Sequence, residues 1–389
     1  MSGFIKQYGR LILGRGGSAA LQAVTLVVLA RFSSIEEFGV YATGVAAGAI
    51  CIGVFGMGLP TLVLRTEARE VTGLAGSALI IGAVGAGTAT FSVFVTLLAI
   101  APEAGLSIAV AAATFSGSEL WLNLVQNVLL GSHREVAATS IIVVRRAVPL
   151  LVVLLFVPNG GGVYLGLTVG SSIMLFIGMT VVWPARRRKR SVAVVWEQTR
   201  HFWLANVGSM LQQLDVVIIR QGLGNAPAAA YSAAFRLASP VHIVTTAITS
   251  KMVPALAAEA NPITRAARQR RYVLTGVGYA GVVLLISPLA AVAGPFLLGE
   301  QYQAWAWVFP LTLVNSALSV VNQIQAAVLY ADGRSKGVAR ATLIAVLTGL
   351  VVVALATFAG SFGFAIGGTI LIQVILVGTL AWMAKADRE

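Results

Sequence analysis

Length, composition and charge exclude a water-soluble globular protein. The chain has 389 residues, of which 58% are hydrophobic and only 11% are charged, against roughly 25% charged in a soluble domain. The net charge of +13 raises the question of nucleic-acid binding, but such binders gather their basic residues on one aromatic-studded surface. Here the basic residues lie between apolar stretches, so we expect a polytopic membrane protein that contacts membrane lipids and no nucleic acid.

Apolar stretches long enough to cross a bilayer recur along the whole chain. A membrane-spanning helix needs about 20 residues. The first stretch leads straight into a second, so we interpret it as a start-transfer helix rather than a cleavable signal peptide. The sequence predicts an all-α protein with twelve spans, which cover residues 11–30, 38–58, 74–100, 107–130, 136–157, 163–183, 202–220, 228–250, 272–292, 304–329, 337–358 and 363–383.

The basic residues alternate from one gap between spans to the next. Most of the 27 Lys and Arg residues lie in alternate gaps and at the two ends of the chain, and only Arg31 and Arg220 border the other turns. Because loops rich in Lys and Arg stay on the cytoplasmic side, we predict that both termini are cytoplasmic. We expect the bacterial cytoplasmic membrane as the location.

The longest charged gap lies at the middle of the chain. It predicts an N-terminal lobe of helices 1–6 (residues 1–185), a basic cytoplasmic linker (186–200) and a C-terminal lobe of helices 7–12 (201–389). We interpret the run Arg186–Arg190 as a topology determinant near anionic lipid headgroups. A binding site for a partner is the alternative.

The two predicted lobes resemble each other in sequence. Gln126–Arg134 and Gln325–Arg334 have similar patterns after the fourth span of each half. With six spans each, the two copies have the same orientation, so a pseudo-two-fold axis would run along the membrane normal, and transporters commonly place the substrate site between such repeats. Shifts of 199 and 190 residues pair further polar positions: Asn123 with Asn322, Gln22 with Gln212, and Thr25 with Asp215.

Polar residues follow one face of several predicted spans. They are costly in a bilayer, so each is a functional candidate, and a polar stripe is expected to face protein or water rather than lipid. The alternative is hydrogen bonding between helices. The stripes comprise Arg15, Ser18, Gln22 and Thr25; Ser116, Glu119, Asn123 and Gln126; Asn206, Gln212, Gln213 and Asp215; and Asn315, Ser319, Asn322 and Gln323.

Cations outnumber acids within the spans. The cations are Arg15, Arg145, Arg146 and Arg236, and the acids are Glu119 and Asp215. Arg15 lies near the inner interface and is expected to extend its charge towards it. A positive cavity suits an anionic substrate, above all phosphate, which arginine binds with two parallel hydrogen bonds. Pairing of the acids with these arginines remains the alternative.

Signals for nucleotide or metal chemistry are missing from the sequence. The chain has no G-x-x-x-x-G-K-[ST] motif, and its three histidines and single Cys51 show no metal-ligand spacing. We expect no cofactor, no metal and no enzymatic activity. Pairs of glycines four residues apart predict close helix packing; they are Gly44–Gly48, Gly166–Gly170 and Gly363–Gly367.

Four segments carry a family pattern: Ala30–Tyr41 in the first turn, Trp203–Arg236 around the seventh helix, Phe296–Tyr302 before the tenth helix and Asp332–Arg334 after it. These segments resemble those of the polysaccharide-transport (Wzx-type) flippases of the multidrug/oligosaccharidyl-lipid/polysaccharide (MOP) superfamily. One departure is that Ala229-Ala230 stands where a glycine usually precedes the tyrosine. The resemblance implies two six-helix lobes, as in MATE proteins. It also implies movement of undecaprenyl-pyrophosphate-linked glycan to the outer leaflet by alternating access.

We expect a monomeric flippase for surface polysaccharide, with other polysaccharide-assembly membrane proteins as candidate partners. A cation-coupled multidrug exporter of the same superfamily would need acids at its centre, and Glu119 and Asp215 keep that alternative open. A membrane glycan polymerase or ligase would need a sizeable outer loop, which the sequence does not predict. The predicted substrate-binding residues are Arg15, Gln22, Glu119, Asn123, Arg145, Arg146, Gln212, Asp215, Arg236 and Asn322.

Overall fold

The protein is built from α-helices joined by short turns. A computed structural model describes residues 2–65, 68–103, 105–158, 162–182, 195–197, 199–200, 203, 207, 210–257 and 259–385. The α-helices of this part of the chain are α1 (Ser2–Phe32), α2 (Ile35–Phe55), α3 (Leu59–Arg65), α4 (Ala68–Ile100), α5 (Leu106–Gly131), α6 (Glu135–Phe156), α7 (Val163–Val182), α8 (Leu214–Leu223), α9 (Asn225–Leu237), α10 (Ser239–Ala257), α11 (Pro262–Ile286), α12 (Ala290–Leu298), α13 (Val308–Ala331), α14 (Ser335–Phe358) and α15 (Phe362–Lys385).

Most of the helices follow the predicted spans. The seventh predicted span, 202–220, lies partly outside the described residues, and α8 begins only at Leu214. Among the described residues, nine helices are long and apolar enough to cross a membrane, and Gly16–Phe32 adds a shorter apolar helix. The eighth predicted span, 228–250, is interrupted: α9 ends at Leu237 and α10 begins at Ser239. Pro240 follows the break, as expected because proline cannot donate the hydrogen bond that would continue a helix.

Packing divides the chain into an N-terminal unit, Met1–Val217, and a C-terminal unit, Ile218–Glu389. In the N-terminal unit, α5 is the central helix and packs against α2, α3, α4, α6 and α7. In the C-terminal unit, α13 has the same role and packs against α9, α10, α11, α12, α14 and α15. The polar stripes predicted for the fourth and tenth spans therefore lie on the most enclosed helix of each unit.

The boundary between the units differs from the predicted linker. Most of the predicted linker (186–200) lies outside the described residues, and the division falls after Val217. Residues beyond the predicted linker still contact the N-terminal unit: the indole nitrogen of Trp203 donates to the carbonyl of Val54 at 2.8 Å. The turn Leu211–Gln213 also packs against α2. Apolar and hydrogen-bonding contacts thus extend the N-terminal unit past its charged segment.

Matching turns define the register of the repeat. After α5, the amide of Arg134 donates to the carbonyl of Leu129, and after α13 the amide of Arg334 donates to that of Leu329. Both turns place a left-handed residue at the same point, His133 (φ 56°) and Gly333 (φ 76°), as in the Schellman ending of a helix. The local shift is therefore 200 residues rather than 199.

The corrected register changes one predicted equivalence. A shift of 200 pairs Asn123 with Gln323, not with Asn322. Asn123 and Gln323 are both half-buried, whereas Asn322 is 5% exposed. Nearer the start of each unit, the shift is 190: α2 begins at Ile35 and α9 at Asn225. The two units therefore share matching elements, but the C-terminal unit has extra residues between them. A single shift in residue number cannot align the two units along their whole length.

The turn that resembles the flippase motif is a helix start. Ser34 accepts a hydrogen bond from the amide of Glu37 at 3.1 Å, and the Glu37 carboxylate accepts from the amide of Ser34 at 3.0 Å. This reciprocal capping satisfies two amides that have no partner within the helix. Tyr41 lies six residues into α2 and is 3% exposed, as Tyr231 lies six residues into α9 and is 2% exposed. The motif thus encodes a capped helix with a buried tyrosine.

Only some of the predicted glycine contacts are present. A Cβ at Gly170 would lie 2.5 Å from the Cα of Pro149, and one at Gly166 would lie 2.9 Å from the Cα of Val153. A Cβ at Gly44 would similarly lie 2.7 Å from the Cβ of Ala112. A Cβ added at Gly363 or Gly367, by contrast, would meet no described atom of another helix within 4 Å. The packing prediction is confirmed for the first two glycine pairs and is wrong for Gly363–Gly367.

Candidate functional site

A buried ion pair joins the two helices that carry the predicted charges of the N-terminal unit. The guanidinium of Arg146 on α6 donates to both carboxylate oxygens of Glu119 on α5, with Nη1–Oε1 at 2.9 Å and Nη2–Oε2 at 2.6 Å. The Arg146 side chain is 9% exposed and that of Glu119 is 18% exposed. The guanidinium also lies 5.7 Å from the ring centroid of Phe115, one turn from Glu119. For Arg146 the structure therefore shows the alternative in which an intramembrane arginine pairs with an acid.

The charges lie in the middle of a membrane-length helix. Arg145 and Arg146 are the eleventh and twelfth residues of the 22 in α6, which places them about 15–17 Å from its first residue. Pro149 lies inside the same helix and has no amide to donate to the carbonyl of Arg145. Glu119, Arg145 and Arg146, here called the charged cluster, carry a formal charge of +1.

A cavity of about 280 Å³ opens beside α5, the helix that carries Glu119. It lies within the N-terminal unit, where α2 ends and α3 begins. Its polar lining comes from Asn123 and Asn127, and the Asn127 amide donates to the Asn123 carbonyl at 2.7 Å and to its side-chain oxygen at 3.1 Å. Asn123 lies one turn along α5 from Glu119, about 6 Å away along the axis. The remaining lining residues are Ile52, Gly53, Gly56, Leu59, Pro60, Leu120, Leu124 and Met210.

The polar residues of the C-terminal unit mostly bond to one another. Asn322 on α13 donates to the side-chain oxygen of Gln373 on α15 at 2.7 Å. Gln323 donates to Ser319 at 3.2 Å, and its amide nitrogen lies 3.1 Å from Nδ1 of His242. These contacts join α10, α13 and α15 in the way that interhelical hydrogen bonds do in membranes. For Asn322 the structure thus favours the packing alternative over cavity lining.

The other predicted site residues are spread over both units. Gln22 lies half-buried in α1. Gln212 lies in the 3-10 turn Leu211–Gln213, and the buried Asp215 accepts from the amide of Val216 at 2.6 Å. Arg236, at the end of α9, donates to Ser232 at 3.2 Å. The side chain of Arg15 and residue Asn206 lie outside the described residues.

Three residues at these contacts escaped the sequence interpretation. Gln373 is the one amide side chain of an otherwise apolar span. Because an amide is costly to bury in lipid, such a residue can be recognised from the sequence as a candidate for hydrogen bonding between helices. The sequence shows His242 only as one of three scattered histidines without metal-ligand spacing. The ring of Phe115 follows from no spacing rule, because its neighbour Arg146 comes from another helix.

Comparisons with known structures identify the fold. The chain is similar to the inward-facing conformation of a multidrug resistance MATE family transporter of the MOP superfamily, with TM-score 0.73, 14% identity and coverage of 94% of this chain and 93% of that one. It is similar to a MATE protein in complex with MaL6, with TM-score 0.64, 14% identity and coverage of 98% and 96%. A MOP superfamily transporter from Pyrococcus furiosus gives TM-score 0.64, 15% identity and coverage of 97% and 94%. The prediction of a MATE-like, all-α membrane fold is confirmed.

Sequence comparison gives the family. No curated protein matches the chain significantly. The family model described as polysaccharide biosynthesis protein matches residues 4–258, well over half of the chain. Together with the fold and the apolar helices, this match establishes a multi-pass membrane protein with the fold of MATE transporters. The chain belongs to the polysaccharide biosynthesis protein family.

Proposed function

We propose that the protein moves a polyprenyl-pyrophosphate-linked oligosaccharide from the inner to the outer leaflet of the bacterial cytoplasmic membrane. The family match supports a role in polysaccharide synthesis, and the fold supports transport rather than catalysis. The observation that carries the proposal is the charged cluster at the middle of α6. An arginine in hydrocarbon costs several kcal/mol, so intramembrane arginines mark a wet cavity, a partner or a substrate.

The chemistry of the charged cluster suits a pyrophosphate. Glu119 holds Arg146 through both terminal nitrogens, which fixes the guanidinium. Arg145 adjoins Arg146 in the same turn of α6 and brings a second guanidinium to this level of the helix. A pyrophosphate that joins a polyprenol to a glycan carries two negative charges, one on each phosphate, and arginine is the side chain best shaped to bind phosphate oxygens. We therefore assign pyrophosphate binding to Arg145, with Arg146 and Glu119 as its fixed surroundings.

The amide-lined cavity provides a place for the sugars. Asn123 and Asn127 offer hydrogen-bonding groups about one and two helical turns from Glu119, and sugar hydroxyls both donate and accept such bonds. The polyprenyl tail would stay in the surrounding lipid. In this scheme the substrate enters from the inner leaflet, near Arg15, and one lobe rocks against the other to release it outside. Gln22, Gln212, Asp215 and Arg236 remain proposed contacts along this path.

A vesicle assay with purified protein tests the proposal. The protein would be reconstituted with a short-chain polyprenyl-pyrophosphate disaccharide, fluorescently labelled, and flipping scored by access of an impermeant quencher. We expect wild-type protein to speed flipping over empty vesicles, and Arg145→Ala to lower the rate about 10- to 100-fold, as loss of one charge-assisted bond suggests. Arg145→Lys should restore part of the rate, because it keeps the charge but loses the planar fork.

The matched control is Arg340→Ala, which removes an exposed arginine of α14 and should leave the rate unchanged. Normal flipping by a stable Arg145→Ala variant would overturn the assignment of Arg145. Absence of flipping by wild-type protein, with any short glycan tested, would count against the flippase itself. In cells, surface polysaccharide restored in strains lacking their own flippase would identify the glycan.

A second function is favoured by the structural neighbours. Several proteins of this fold are multidrug resistance transporters, and Glu119 and Asp215 are acids within the spans. A cation-coupled exporter would extrude a cationic dye such as rhodamine 6G from everted vesicles, and Glu119→Gln or Asp215→Asn would abolish the extrusion. We expect no dye transport, because both acids already have partners: Glu119 binds Arg146, and Asp215 accepts from the amide of Val216.

A further inference from the structure

An exposed face of α11 carries two arginines beside an apolar surface. Ala267, Arg270, Arg271, Leu274 and Thr275 line a shallow groove there, and they recur three or four residues apart, as neighbours on one side of a helix do. We call this set the arginine face. The opposite side of α11 contains its buried residues, Gly276, Ala280 and Val283. The arginine face therefore points away from the packed interior of the C-terminal unit.

The four arginines in the first turns of α11 differ in their surroundings. Arg265 forms an ion pair with Asp332, and Arg268 forms one with Glu259 at 3.1 Å. Arg270 and Arg271 are exposed, and no Asp or Glu among the described residues lies within 4 Å of either guanidinium. Two neighbouring positive charges are thus left for a partner, while two nearby ones are already neutralised.

The apolar surface begins directly beyond these two charges. Leu274 is 60% exposed, Val282 is 54% exposed and Leu285 is 81% exposed on the same outward side. No Asp, Glu, Lys or Arg occurs between Arg271 and Glu300, and Pro262–Leu298 is a membrane-span candidate. Arg270 and Arg271 therefore lie where the apolar part of this helix meets water, the depth of phospholipid phosphates in a bilayer.

We propose that the arginine face binds the headgroup phosphate of an anionic phospholipid. Arginine presents planar donors that match phosphate oxygens, and the small Ala267 lines the same groove as the two arginines. The acyl chains would lie along Leu274 and the exposed residues that follow it. A soluble phosphate would gain nothing from this apolar continuation, and an acidic protein would need a wider surface than one turn of helix. This lipid site does not depend on what the protein transports.

Native mass spectrometry of the full-length protein tests the site. Protein released from nanodiscs of phosphatidylcholine with increasing phosphatidylglycerol would be scored for retained lipid. We expect one tightly retained phosphatidylglycerol on wild-type protein, and about 30-fold weaker retention by Arg270→Gln/Arg271→Gln, because each surface arginine contributes about 1 kcal/mol to anionic-lipid binding. Arg270→Lys/Arg271→Lys should retain an intermediate affinity.

The matched control removes the same number of charges from the same helix. Arg265→Gln/Arg268→Gln should leave retention nearly unchanged, because these arginines already have acidic partners. Equal losses from both double variants would overturn the proposal and indicate a general effect of net charge. Inorganic phosphate bound equally well in lipid-free detergent would also overturn it, in favour of a soluble-anion site. Melting curves in detergent check that each variant is folded, as expected for exposed positions.

Discussion

The guanidinium of Arg146 and the carboxylate of Glu119 lie in the interior of the N-terminal unit, each removed from most of its hydration. Desolvating two charges costs several kcal/mol for each ion, and their attraction repays that cost only with good geometry. The two parallel hydrogen bonds supply such geometry. Removal of one member takes a bidentate partner away from a largely buried charge, so stability should depend strongly on the presence of both.

A double-mutant cycle makes this dependence measurable. Arg146→Met should lower the free energy of unfolding by about 3–5 kcal/mol, because Glu119 loses its bidentate partner. Adding Glu119→Gln should recover most of that loss, since a neutral amide tolerates the site. Thermal melting of purified protein in detergent provides the comparison. Glu300→Gln, which neutralises an exposed acid, serves as the control and should recover nothing when combined with Arg146→Met. Failure of Glu119→Gln to recover stability would mean that the pair is not what holds Arg146.

Residue types in the site were predictable, but their pairing was not. The cost of charge in a bilayer makes Glu119, Arg145 and Arg146 visible in any apolar span. Arg145 and Arg146 are adjacent in sequence and point about 100° apart on α6, so spacing alone could not decide which of them meets Glu119. That choice depends on how α5 and α6 are rotated against each other, which is a property of packing.

At the scale of the helix, α7 sets the position of α6. Gly166 and Gly170 bring the α7 backbone against Val153 and Pro149, the residue that follows the arginines by about one turn. Small residues allow such close approach in membranes, where packing rather than water exclusion drives helix association. The position of the charged cluster therefore depends on two glycines of a helix that contributes no charge to it.

Substitution by alanine should have opposite effects on thermal stability at two glycines that lie in the same sequence pattern. Gly170→Ala places a methyl group 2.5 Å from the Cα of Pro149, so backbone must move, at a cost of about 1–3 kcal/mol. Gly367→Ala meets no described atom within 4 Å and should be neutral or slightly stabilising, because alanine favours helix. Thermal melting of both variants in detergent distinguishes them. Equal melting temperatures would show that the contact between α6 and α7 is not tight.

The contrast between these glycines shows what a motif can predict. Both pairs are four residues apart in an apolar helix, so the sequence gives them the same interpretation. Gly170 is buried against α6, whereas Gly367 is exposed, and only the neighbouring helix makes that difference. Helix spans were predictable because apolar length is a local property, but the face that each helix buries depends on residues far along the chain.

At the scale of the whole molecule, the repeat was visible in sequence but its register was not. Matching helix starts at Ile35 and Asn225 and matching turns at Arg134 and Arg334 require shifts of 190 and 200. Patterns of polar residues alone fit an alignment of the two halves that is wrong by one position. Backbone hydrogen bonds fix the alignment, because a Schellman turn joins defined amides to defined carbonyls. The charged cluster has no counterpart in the C-terminal unit: a shift of 200 places Ala345 and Val346 opposite Arg145 and Arg146.

The predicted orientation of the whole chain can be tested on either side of α13. Gly299 precedes this helix and Gly333 follows it, both in turns with positive φ, and its 24 residues span about 36 Å, enough to cross the hydrocarbon core. No Lys or Arg occurs from Tyr272 to Gly333, whereas Arg334, Lys336 and Arg340 follow at once. Because basic loops stay in the cytoplasm, a reporter active only outside should work after Gly299 and fail after Gly333.

The same reporter should work after Gly160 and fail after Lys189. A cytoplasm-specific reporter at the same four positions is the control and should give the reverse pattern. Inverted results at any two positions would contradict twelve spans with both termini inside.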